Sequence, residues 1–176
     1  MKKQFLVMYM AGLAGLSSLT LSNPAQSAEV APAPNGIAFP AGYQNWRVVA
    51  VSERIDNNTL RVIVGNDTAI KAARSGKTNP WPNGTILGKV VWKQAKEEHW
   101  PTAIVPTDFV HAEFMLKDSE KYSATGGWGY ARWKGPELKP YGKDKNFTSE
   151  CLGCHTPMKN NDYVFTKPAP FFPKLK

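Results

Sequence analysis

Between residues 45 and 135 the apolar residues recur mostly at every second position, the period of strands that bury one face. "NWRVVAVSE" (45–53) and "TLRVIVG" (59–65) flank the polar turn "IDNN", which predicts a β-hairpin. The pattern then turns helical. "NDTAIKAARSG" (66–76) predicts a short helix with Asn66 or Asp67 as N-cap and Gly76 as terminator. Strand periodicity returns in "GTILGKVVWKQ" (84–94), "DFVHAEFMLKD" (108–118) and "GWGYARWKG" (127–135). The stretch "KDKNFTSECLGCH" predicts a turn and a short helix. No internal repeat is visible. The sum is an α+β fold, an antiparallel β-sheet with a few short helices.

Residues ahead of this pattern read differently. "MKKQFLVMYMAGLAGLSSLTLSNPAQSAEV" opens with Lys2 and Lys3, continues as an uncharged apolar run, and ends in the small residues Ala25, Ser27 and Ala28. That layout predicts a signal peptide over residues 1–28, cleaved after Ser27 or Ala28, and hence a periplasmic protein. A membrane anchor is the rival reading, but Ser17, Ser18 and Thr20 interrupt the run. "EVAPAPNGIAFPAG", rich in proline, alanine and glycine, predicts an extended arm over residues 29–44. The remaining 45–176 form one domain, since a mature chain of about 148 residues is short enough for a single core.

Composition narrows the partners. With 42% hydrophobic and 20% charged residues the chain is an ordinary globular protein. The net charge is +8, and losing Lys2 and Lys3 with the signal leaves +6. The positive residues are scattered, not run together, so a nucleic-acid partner is not expected. They read either as a solvated basic surface or as steering toward an acidic redox partner.

The chemistry concentrates late in the chain. "SECLGCHTP" (149–157) holds both cysteines, three positions apart and followed by a histidine. C-x-x-C-H is the attachment signature of a c-type haem, with Cys151 and Cys154 making the thioether bonds and His155 ligating iron. One covalent haem c is therefore expected. A thioredoxin-type redox pair would need the motif early, in a β-α-β unit. Zinc needs four ligands, and only His99 and His111 remain to join the cysteines. No sixth ligand stands out. Met158 is too close to His155 to cross the ring, Met115 reads as core packing, and His99 and His111 read as surface or satisfied residues. The iron is expected to be open and to bind small molecules. Helical electron-transfer cytochromes carry the motif near the start and a methionine ligand well after it, which this chain does not.

Three polar residues sit awkwardly in the strand pattern. Lys89 falls between Leu87 and Val91 on one face of its strand, where it either snorkels outward or points an amine among apolar groups. Arg61 lies on the minority face of its strand, and Glu113 alternates with His111 and Met115. On adjacent strands these groups can line a pocket.

From about Asn45 the chain resembles the cytochrome P-460 family, which also contains the cytochromes c′-β. The matching stretches are "LRVIVGND", "WPNGTILGKVVW", "FMLKDSEKY", "GGWGYARW", "ECLGCH" and "DYVFTK". The resemblance implies a periplasmic, homodimeric, mono-haem protein on an antiparallel sheet. In the enzymatic branch a lysine is bonded to a haem meso carbon, and Lys89 matches it. Arg61 matches a distal arginine, and Glu113 a pocket glutamate. That branch oxidises hydroxylamine and passes the electrons to a redox partner. The other branch binds nitric oxide under an apolar cap, a part for which Phe147 is the candidate here. Hydroxylamine oxidation is the first expectation, nitric oxide binding or carriage the second, and electron transfer the third.

Overall fold

A computed structural model describes residues 29–170 of the chain; the expected signal segment lies outside the described residues. Six strands form one antiparallel sheet in sequence order: β1 (Arg47–Arg54), β2 (Thr59–Gly65), β3 (Ile86–Lys96), β4 (Ile104–Lys117), β5 (Trp128–Lys134) and the short β6 (Lys139–Pro140). Each strand pairs with its sequence neighbours, the arrangement that short connections favour. Residues 55–58 close the hairpin between β1 and β2, as the sequence predicts.

Helix α1 (Asp67–Ser75) starts where the predicted cap stands. The Asn66 side-chain oxygen accepts from the Ala69 N–H at 3.0 Å and from the Ile86 N–H at 3.1 Å. One side chain thus caps the helix and ties it to β3. Gly76 ends the helix in a left-handed conformation, φ 71°. Close approach of α1 to the sheet depends on Gly65, where a Cβ would lie 2.8 Å from that of Ala69. Helix α2 (Thr148–His155) carries the C-x-x-C-H run, and a short 3-10 turn (Lys145–Phe147) leads into it.

The sheet separates two cores. On the front, Ala50, Ile63, Leu87, Trp128 and Tyr130 pack with α1, Trp81 and Val164, and α2 lies partly against them. On the back, Val64, Val90, Ala112, Phe114, Ala131 and Trp133 pack with Ala33, Ile37 and Tyr43. The proline-rich arm is therefore part of the core. Phe39 stacks edge-on against Tyr43, Phe114 and Trp133 at centroid distances of 5.0–5.7 Å. The Trp133 indole N–H donates to the Ala31 carbonyl at 2.8 Å, and the Asn35 amide to the Tyr130 carbonyl at 2.9 Å. Aromatic spacing in the strands gave no sign of this partner.

Candidate functional site

Antiparallel register builds the site one row at a time. Lys89 lies opposite Ile63 on one side and Glu113 on the other, and Glu113 opposite Arg132. The neighbouring row runs Arg61, Val91, His111, Lys134, and the one beyond Lys89 runs Leu87, Met115, Tyr130. Because side chains two apart share a face, all of these point to the front. The front is consequently apolar near α1 and charged toward the opposite end.

Helix α2 covers this face and leaves a cavity of about 570 Å³, within the range typical of small-molecule and cofactor sites. Arg61, Lys89, Glu113, Cys151, Cys154 and His155 all line it. Six residues named from sequence, on four different elements, thus converge on one space. Met115 lines the same cavity. Phe147 does not: its ring packs beside Gly142 and edge-on to Tyr141 at 6.2 Å, on the back-core side. The apolar cap suggested for Phe147 is not formed by that residue. His99 is exposed, and His111 sits behind Glu113 without lining the cavity.

Glu113 is the electrostatic centre. Its carboxylate pairs with the Lys89 amine, with Arg132 Nε at 2.6 Å and with His111 Nε2 at 3.2 Å. Burial alone would raise its pKa, but the charges of Lys89, Arg132 and His111 more than offset this and hold it below the usual carboxylate value. His111 is pushed the other way. Burial, aided by the positive charges of Lys89, Arg132 and Arg61, lowers it to about 4 despite Glu113. At neutral pH it is therefore uncharged beside Glu113.

The His155 ring is held in one tautomer. Its Nδ1 lies 2.7 Å from the Tyr163 backbone carbonyl, which only accepts, so Nδ1 carries the proton and Nε2 presents its lone pair. Its ring is held between Tyr130 and Phe165, with centroids 5.3 and 5.2 Å away. Burial lowers the pKa of His155, which favours the neutral ring a metal requires. Both cysteines are free thiols, one helical turn apart beside the histidine. Apart from Arg132 Nε, which is ion-paired with Glu113, two buried polar atoms of cavity-lining residues, Arg61 Nε and the Tyr130 hydroxyl, have no hydrogen-bond partner among the described residues. Orphaned polar groups at a lined cavity are what a polar-edged cofactor or its substrate would satisfy. The donor set and these orphans fit a thioether-bound haem.

Sequence reading missed Tyr130 and Arg132. Both alternate on the front face of "GYARW", in register with Met115 and Glu113, so the signal was present once pairing is known. Arg54, beside the cavity at the edge strand, was also missed and gives no sequence signal beyond its parity with Ser52.

The family model for Cytochrome P460 matches residues 40–166 of this chain. No curated protein matches it.

Proposed function

The chain belongs to the cytochrome P460 family, a family of haem-binding cytochromes, and on that premise we propose that it is an exported mono-haem c-type cytochrome that oxidises hydroxylamine or a related small nitrogen compound. The observation that carries the reading is Lys89: an amine on the cavity wall, ion-paired to a buried glutamate and opposite a helix bearing Cys151 and His155. When bound, haem would supply a redox-active iron able to accept the substrate's electrons, which would leave to a one-electron periplasmic acceptor.

The chain's own residues divide the remaining tasks. Cys151 and Cys154 hold the macrocycle, and His155 Nε2 ligates its iron. Lys89 would be the residue tied to the macrocycle edge, a C–N bond replacing one N–H and one ring C–H. Starting from the ammonium, this would release three protons, the first of them to Glu113, and two electrons to a peroxide oxidant. An ammonium cannot form that bond, so the carboxylate at its Nζ serves as the base. Glu113 thereafter accepts protons from the substrate. Arg61, with an unpaired Nε at the wall, stabilises the negative charge that develops as they leave. Arg132 and His111 keep Glu113 ionised and in place.

Peptide mapping of the haem-loaded protein tests this reading. The expected product is a haem peptide carrying Cys151, Cys154 and Lys89 together, with a red-shifted Soret band in the reduced protein. Lys89→Leu should retain the fold, because Leu87 and Val91 suit an aliphatic neighbour and Glu113 keeps Arg132 and His111 as partners. It should show an ordinary c-type spectrum and no hydroxylamine oxidation. An unmodified Lys89 in active, haem-loaded protein would remove the cross-link and make nitric oxide binding the first choice.

A further inference from the structure

Four stretches of the chain, "WPNG" (81–84), "KDS" (117–119), "GGWGY" (126–130) and "DYVF" (162–165), contribute no group that reacts, yet they meet at one buried point behind His155. Lys117 and Asp162 form an ion pair there, Nζ to Oδ1 2.6 Å, with side chains only 7% and 9% exposed. The other Asp162 oxygen accepts from the Trp81 backbone N–H at 2.8 Å. The Asp162 carbonyl accepts from the Trp128 indole N–H, also at 2.8 Å. Lys117 completes the arrangement by lying over the Trp128 ring, 5.0 Å from its centroid.

These contacts hold an unusual piece of backbone. Asp162 and Tyr163 are consecutive non-glycine residues in the left-handed region, with φ 50° and 62°. Such residues persist only where their surroundings over-determine them. The outcome of the double kink is that the Tyr163 carbonyl faces back to helix α2 and takes the His155 Nδ1 proton at 2.7 Å. The Tyr163 ring is wedged over Gly126, where a Cβ would fall 2.3 Å from it. A buried ion pair is weak evidence for stability, because desolvation offsets its attraction; fixing a geometry is its better-attested use.

We propose that Lys117 and Asp162 are positioning residues for His155, holding the Tyr163 carbonyl where it sets the tautomer, the ring orientation and the donor strength of the ligating nitrogen. The proposal rests on the reading of His155 as the haem ligand. A firm Nδ1–H···O=C bond makes the imidazole more electron-rich, so it strengthens the iron–histidine bond and stabilises ferric over ferrous iron. Neither residue touches haem or substrate. They act through one carbonyl.

The test uses haem-loaded protein. In the double variant Lys117→Met/Asp162→Asn no buried charge is left unpaired, and the asparagine oxygen still accepts from Trp81. Trp128→Phe is milder, removing only the indole donor while both charges stay paired. Resonance Raman spectra of the ferrous protein read the iron–histidine stretching band, and a redox titration reads the midpoint potential. The double variant should move the band to lower frequency and the potential to more positive values. Trp128→Phe should give a smaller shift in the same direction, and Lys117→Arg in the wild-type background should return values near wild type. Folded, haem-loaded variants with lower melting temperatures but unchanged band and potential would show a purely structural role and overturn the proposal. A wild-type protein with no thioether-bound haem would instead overturn the functional reading, and this proposal with it.

Discussion

Glu113 shows how a single residue's chemistry is set by its neighbours. A carboxylate this buried is costly unless paired, and here three groups on three strands share it. Arg61 differs in having no acceptor for its buried Nε among the described residues, which leaves the guanidinium free to answer charge in the cavity. Arg61→Met should slow turnover on the order of 100-fold while leaving the haem spectrum intact, as steady-state rates and absorption spectra would show. The same cluster fixes a pH dependence. His111 titrates at about 4 in the folded chain, against about 6.5 when unfolded. Between those values the unfolded chain binds more protons, so stability falls as pH drops from about 6.5 to 4. Glu113 adds to this at lower pH, since its depressed pKa contributes stability above the unfolded carboxyl value and loses it as pH falls through the folded one. Melting temperatures measured from pH 7 to 4 should decline, and His111→Gln should flatten the upper part of that decline. An unchanged slope in the variant would remove His111 from the account.

At the scale of elements, caps and register decide what the cavity contains. Asn66 serves α1 and β3 at once, so Asn66→Ala should cost about 1–2 kcal/mol, visible in a denaturant titration as a lower midpoint with unchanged slope. Much of this level was legible in the chain. The cap and terminator of α1, the β1–β2 turn and the strand faces are local signals, written as Asn66, Gly76, "IDNN" and a period of two. Lys89 was legible as an amine between Leu87 and Val91 on one strand face; Arg61 and Glu113 respect the alternation of their strands, and their roles were read from the family resemblance. What could not be read is which strands pair, and with what offset. Arg132 becomes part of the site only through its register with Glu113, and Tyr163 only through a backbone kink that no periodicity encodes. Phe147 was misjudged for a related reason: proximity to the haem motif in sequence does not say which side of the sheet its ring takes.

For the whole molecule, the sheet works as a partition. Its front carries the cavity, closed by α2 and by residues 164–167, and the segment beyond them returns to β1 through the Ala169 N–H and the Val49 carbonyl at 2.8 Å. Its back carries the arm, whose Ile37 is 5% exposed in a cluster that contains none of the cavity's charged residues. The back thus supplies packing alone, whereas the front carries both a core around α1 and the cavity. Ile37→Ala should cost about 2–4 kcal/mol, since the arm cannot collapse fully onto the space left among Phe114, Trp133 and their neighbours. It should leave the haem spectrum and the oxidation rate of the folded protein unchanged. Lys89→Leu should do the converse, altering the spectrum and rate with little effect on stability. Combined, the two substitutions share no partner, so their stability effects should add within about 0.5 kcal/mol. Denaturant unfolding of both single variants and the double variant measures this directly. A coupling well above that value would mean that strain crosses the sheet, and that the arm reaches the site through the strands it covers.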